Sequence, residues 1–80
     1  MLCYYFKSRV GTFYIYPSRY QPGCFALEIR GIVYGVYSSA VAAADDVYVH
    51  VTGYDPWDLR PESAYGPTDL SEWEIGEISR

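Results

Sequence analysis

The sequence predicts an α+β fold. A three-stranded antiparallel sheet, four-stranded if residues 2–6 join it, packs on one α-helix and is followed by an extended C-terminal segment ending in a short helix. Three observations predict it. Stretches rich in β-branched and aromatic residues recur over 12–16, 24–30 and 32–37, with the two-residue alternation of strands. Turn residues separate them: Pro17 and Pro22-Gly23, then Arg30-Gly31. An alanine-rich stretch then begins after Ser38-Ser39 and closes near Gly53, its apolar residues spaced as on one helix face. The 80 residues make one domain, with its core over 12–53 and an extended acidic segment over 54–80.

Taken in order, Leu2-Cys3-Tyr4-Tyr5-Phe6 is β-prone and reads as an edge strand, interrupted by Lys7-Ser8-Arg9 and a turn at Gly11. In the next strand Phe13 and Ile15 share one face, and Thr12, Tyr14 and Tyr16 the other. Phe25, Leu27 and Ile29 then alternate with Cys24, Ala26, Glu28 and Arg30. Arg30-Gly31 fits a tight hairpin in which Gly31 takes a positive φ. Regular alternation over 32–37 groups Val33, Gly35 and Tyr37 against Ile32, Tyr34 and Val36, with Gly35 marking a bulge or a close approach of the helix.

Ser38 or Ser39 caps the helix. At about 100° per residue, Ala40, Ala44, Val47 and Val51 form one stripe, flanked by Ala43 and Tyr48. The small alanines let the helix lie close on Phe13, Phe25, Leu27 and Ile29, and Gly53 serves as its left-handed cap. From Tyr54 three prolines and no periodicity predict an extended segment anchored by Trp57, Leu59 and Tyr65. Ser71 and Glu74 fit a capping box, with Leu70 and Ile75 as its hydrophobic staple. They predict a short helix over 72–77, tied down by Trp73 and Ile78.

Composition bounds the function. The net charge is −4, but residues 1–44 set Lys7, Arg9, Arg19 and Arg30 against Glu28 alone, giving +3, whereas 45–80 set Arg60 and Arg80 against nine carboxylates, giving −7. A general nucleic-acid binder carries a basic patch. The strong field here is acidic and suits a basic protein partner. Ten tyrosines exceed what one small core holds, so some supply contact area at the surface. Cys3 and Cys24 are too few for a zinc site; a pairing between them is open on sequence alone, and the expectation is two reduced cysteines of a cytoplasmic protein. The six-residue apolar N-terminus is too short for a signal peptide or a membrane span.

No catalytic set stands out. His50 is the single histidine, without a nucleophile or orienting group at a recognisable spacing. Asp45-Asp46 and the group Glu72, Glu74, Glu77 lack the alternation and glycine of a calcium loop, and no phosphate-cradling glycine motif or nucleophile elbow is present. No enzyme activity, cofactor or metal is expected. The distinctive feature is the sheet face turned from the helix, where Tyr14, Tyr16, Glu28, Arg30 and Tyr34 make a Tyr-rich platform, Tyr and Arg being common interface hot spots. The competing expectation is that residues 2–6 or the C-terminal segment fold over that face.

The stretch Phe25-Ala-Leu-Glu-Ile-Arg-Gly-Ile-Val-Tyr-Gly-Val-Tyr-Ser-Ser-Ala-Val-Ala-Ala-Ala-Asp-Asp-Val-Tyr resembles the plant ethylene-response DNA-binding domain and the arm-binding domains of phage integrases. The likeness lies in a strand, a short turn, a strand with a Gly-aromatic pair, and a helix with an Ala-Ala run. It covers about half the chain and implies a meander whose exposed face enters the DNA major groove. Where that family carries Arg and Trp, this face offers Tyr14, Tyr16, Arg30 and Tyr34 with Glu28, and no Trp. In character the chain also resembles small phage-borne inhibitors, of which anti-CRISPR proteins are the best-known group.

The leading expectation is a non-catalytic, anti-CRISPR-like inhibitor that occupies a basic, nucleic-acid-binding protein surface, such as that of a CRISPR effector complex. Its partner-binding residues would be Tyr14, Tyr16, Glu28, Arg30, Tyr34, Asp45, Asp46, Asp55, Asp58, Glu72 and Glu74. The alternative is a nucleic-acid-binding domain using Arg9, Arg19, Arg30 and the exposed tyrosines. No membrane association is expected. The chain is a monomer, or a dimer paired through an uncovered strand edge at 2–6 or 32–37.

Overall fold

The computed structural model describes residues 1–59 and 66–78. Its strands are β1 (Leu2–Ser8), β2 (Gly11–Pro17), β3 (Phe25–Ile29), β4 (Ile32–Tyr37) and β5 (Glu74–Glu77). A helix α1 (Ala40–Tyr48), a one-turn helix α2 (Asp55–Asp58) and a 3₁₀ turn (Leu70–Glu72) complete the described elements. The fold is α+β, as expected, but among the described residues the single antiparallel sheet has five strands in the order β4-β3-β2-β1-β5. Residues 2–6 are therefore not an edge: β1 lies between β2 and β5.

The period-two pattern sorts the strands as predicted. Phe13 and Ile15 on β2 and Leu27 and Ile29 on β3 are fully buried beneath α1. Tyr4 and Phe6 extend that face, opposite Ile15 and Phe13. Helix α1 meets the sheet through Ala40, Ala43, Ala44 and Val47, and the small side chains permit the close approach. The Ser39 hydroxyl accepts from the Ala42 amide at 3.1 Å, which makes Ser39 the cap. The β3–β4 turn has φ of 54° at Arg30 and 83° at Gly31, the positive pair that a type I′ hairpin requires.

Strand β4 departs from regular alternation. Leu27 pairs with Gly35 and Glu28 with Val33, so Tyr34 is the extra residue of a β-bulge. The bulge puts Tyr34 on the helix side, 5.3 Å from the Tyr54 ring, together with Tyr37. Val33 and Val36, paired with Glu28 and Ala26, both fall on the far side. This corrects the expected grouping of Val33 with Tyr37 and of Tyr34 with Val36.

The helix ends earlier than expected. Its last residue is Tyr48, and His50, not Gly53, takes the left-handed position, with φ 61°. The His50 amide donates to Val47 O and the Val51 amide to Asp46 O, the paired bonds of a Schellman ending. Val51 and Tyr48 are consequently exposed and lie outside the buried stripe.

The C-terminal segment is also more structured than its composition suggests. Residues 55–58 form α2, which brings Trp57 into the core against Phe13, at 5.1 Å, and Phe6, at 5.7 Å. Trp57 is an anchor as predicted, but Leu59 is exposed, and Tyr65 lies outside the described residues. The helix expected over 72–77 is replaced by the 3₁₀ turn and β5. Local bonds explain the change: Asp69 accepts from the Ser71 amide, and Glu72 accepts from the Thr68 amide. The Ser71–Glu74 box does not form, and Ile75 is exposed and makes no staple. Trp73 turns extended and packs on Phe6 at 5.7 Å, and Glu74–Glu77 then pairs with β1. Trp73 and Ile78 are both buried.

Candidate interaction surface

The far face of the sheet is covered at Cys3, Tyr16, Ala26 and Glu28 and exposed at Val33 and Val36 of β4. Tyr16 and Glu28, expected on an open platform, retain only 5% and 3% exposure. Tyr16 donates from its hydroxyl to Glu28 at 2.6 Å, which satisfies polar groups that would be costly to bury alone. Cys3, Tyr16, Ala26 and Ile78 form a second small core there, with Tyr5 and Tyr14 against it. Ile78 thus packs on this face, whereas residues 2–8 and 74–77 join the sheet as strands instead of folding over it. Tyr14 is half-buried, 6.5 Å from the Tyr5 ring. Tyr34 is on the opposite side of the sheet. Arg30 is exposed in the β3–β4 turn, its aliphatic stem over Gly11, where an added Cβ would meet it at 3.0 Å. The five residues do not form one open surface.

The carboxylates divide by commitment. Asp58 braces the loop before α2, accepting from the Thr52 amide at 3.0 Å, the Thr52 hydroxyl at 2.8 Å and the Gly53 amide at 2.7 Å. Asp46 is half-buried and accepts from the Tyr37 hydroxyl at 2.9 Å. Asp45, Asp55, Asp69, Glu72, Glu74 and Glu77 are exposed. Glu77 faces the N-terminal ammonium at 3.6 Å, a surface pair of small energetic weight. Glu72 and Glu74 flank Lys7 around a shallow hollow with Tyr5 and Phe6.

His50 is held structurally. Its ring stacks on Trp57, with centroids 4.4 Å apart and planes at 8°, and its Nδ1 lies 2.7 Å from Trp57 O. The Trp57 indole N–H donates to Val47 O at 2.9 Å. This knot fastens α2 to the end of α1. Among the described residues no three His, Cys, Asp or Glu side chains converge on a metal-sized site. Cys3 and Cys24 are not joined in a disulfide. No helix among the described residues is long and apolar enough to cross a membrane.

An exposed surface not anticipated from the sequence lies on α1. Val41, Tyr48 and Val49 keep 53%, 48% and 56% of their area in solvent, with the exposed Asp45 between Val41 and Tyr48. The spacing of 41, 45, 48 and 49 puts them on one helix flank, turned from Asp46, whose carboxylate reaches back to Tyr37 on β4. The same spacing was present in the sequence. It does not stand out there because Tyr48 flanks the predicted buried stripe. Compared with family models, curated proteins and solved structures, the chain finds no match.

Proposed function

We propose that this chain is a non-catalytic binding protein that lays the outer flank of α1 on a basic protein surface and keeps nucleic acid from it, in the manner of a small anti-CRISPR inhibitor. The observation that carries the reading is the exposed set Val41, Asp45, Tyr48 and Val49. Apolar contact area surrounds a carboxylate on a rigid helix, in a chain of net charge −4. Apolar and aromatic groups supply contact energy, and carboxylates steer the encounter toward Lys and Arg. Phosphates compete for the same cations, which links protein binding to displacement of nucleic acid.

The test compares proteins captured from host lysate by the wild-type chain and by an Asp45→Lys, Tyr48→Ala variant, at low and high salt. A basic, nucleic-acid-binding partner should be retained by the wild type, lose affinity by about tenfold or more with the variant, weaken as salt rises, and be released by competing duplex DNA. A partner held equally by both chains removes α1 as the site. Indifference to DNA removes the inhibitor reading.

One observation favours a second reading, direct nucleic-acid binding. The β1–β2 and β3–β4 turns lie at the same end of the sheet and expose Arg9 and Arg30, with Lys7 nearby. A gel shift with mixed duplex DNA at low salt decides it: retardation lost in an Arg9→Ala, Arg30→Ala variant supports it, and no retardation ends it.

A further inference from the structure

The two edges of the sheet are built differently. Strand β5 is four residues long and carries exposed Glu74 and Glu77, the short charged form that blocks edge-to-edge pairing. Strand β4 is six residues long, and the chain has no charged side chain from 31 to 44. Ile32, Val33 and Val36 are exposed on it. A regular strand would send Val33 and Val36 to opposite faces; the bulge at Tyr34 puts both on the far face, so the irregularity builds an apolar surface at the edge. Beside it lies a groove of about 300 Å³ lined by Tyr16, Ala26, Val33, Val36 and the 18–21 loop. The loop is preformed: the Ser18 hydroxyl accepts from the Tyr20 and Gln21 amides, and the Ser18 amide donates to Cys24 O. At the groove's rim Tyr20 stands 89% exposed.

We propose that β4 is a self-association edge, where two copies of this chain pair their β4 strands antiparallel about a two-fold axis and bury Val33, Val36 and Tyr20 of each copy. The open backbone of an edge strand is satisfied by another extended strand. Strand β4 is itself uncharged and apolar, with Arg19 the charged residue among those lining the adjoining groove, and such an edge favours a strand of the same character, which β4 of a second copy provides. Of the carboxylates beside β4, Glu28 is buried and accepts from the Tyr16 hydroxyl and Asp46 accepts from the Tyr37 hydroxyl, so both are committed within the chain and little like-charge repulsion falls on the contact. A two-fold pairing lets the same patch serve both copies. The outer flank of α1 stays free, because the bond from Tyr37 to Asp46 turns the Asp46 side of the helix toward β4 and the Val41–Tyr48 side away.

Sedimentation of the full chain from low micromolar to near-millimolar concentration tests the proposal. The wild type should shift from monomer to dimer. Val33→Lys and Val36→Lys should each weaken the dimer by about tenfold or more, with unchanged circular dichroism. Asp45→Lys should leave it intact, so this inference stands or falls separately from the α1 reading. Hydrogen exchange on the wild type needs no variant: amides of 33–36 should gain protection as concentration rises, and those of β5 should not. A chain that stays monomeric throughout overturns the proposal, as does a dimer whose β4 amides exchange no more slowly than in the monomer.

Discussion

Tyr37 is a clear case of one side chain holding two elements together. Its ring folds back over Gly35, where an added Cβ would come within 2.9 Å, and its hydroxyl donates to Asp46 on α1 at 2.9 Å. Burial first, then the hydrogen bond and charge of Asp46, and then the charge of Asp58 raise the Tyr37 pKa well above its ordinary value. Because the folded state holds this proton more tightly than the unfolded chain, the stabilisation is fully present below about pH 10 and is lost as pH rises toward the folded value. Tyr37→Phe should therefore cost about 0.5–1.5 kcal/mol at neutral pH, and its deficit against wild type should narrow above pH 10. Urea unfolding of both chains across that range measures it; a gap constant with pH would show that the hydroxyl contributes no proton linkage. Residues of this kind were only partly legible in the sequence. Alternation sent Glu28 and Tyr16 to the correct face, but it reports direction and not what covers a face, so their burial could not be read from the strand. The indole N–H of Trp73 is similarly invisible to pattern: it is buried without a hydrogen-bond partner, in a side chain whose place in the core comes from packing on Phe6.

Among the elements, the end of α1 shows why a boundary can be misread when its chemistry is nearly right. Glycine is the usual left-handed cap, since it lacks the Cβ that makes positive φ costly, and Gly53 does have φ 90°. The helix nevertheless ends on His50, because the imidazole stacks on Trp57 and meets its carbonyl, contacts that glycine cannot make. These opposing terms can be separated. His50→Ala loses the stack and keeps the strained φ; His50→Gly loses the stack and relieves the strain. Both should be less stable than wild type, with the glycine variant recovering about 1 kcal/mol relative to alanine. Thermal unfolding of the three chains tests the order, and an alanine variant as stable as the glycine variant would mean that the backbone relaxes out of the left-handed region. The meander and helix core was legible because local signals agreed there: two-residue alternation, Arg30-Gly31 and Ser39 all favoured the observed elements. At Ser71–Glu74 the local helix signal competed with an open side of β1 and with Trp73's burial, and the long-range pairing prevailed.

For the whole molecule, the consequence is that the last residues complete the fold instead of decorating it. Strand β5 covers the side of β1 opposite β2, Trp73 joins the core on one face and Ile78 the smaller core on the other, and Ile78 is fixed by its amide donating to Met1 O at 2.9 Å. A domain this small has a total stability of only about 5–10 kcal/mol, and truncating a large buried aromatic alone costs about 3–5 kcal/mol. A chain ending at residue 65 loses Trp73, Ile78 and the β1–β5 ladder together, while keeping the whole 12–53 unit. It should show no cooperative thermal transition, and its tyrosine-rich far face should bind more of a hydrophobic dye than the full chain does. If the shortened chain instead melts cooperatively within a few degrees of the full one, the meander and α1 are self-sufficient and β5 is an accessory strand. Loss of the transition would mean that assembly of the far-face core and folding are a single event, which leaves the α1 flank and the β4 edge as the surfaces open to partners in the folded chain.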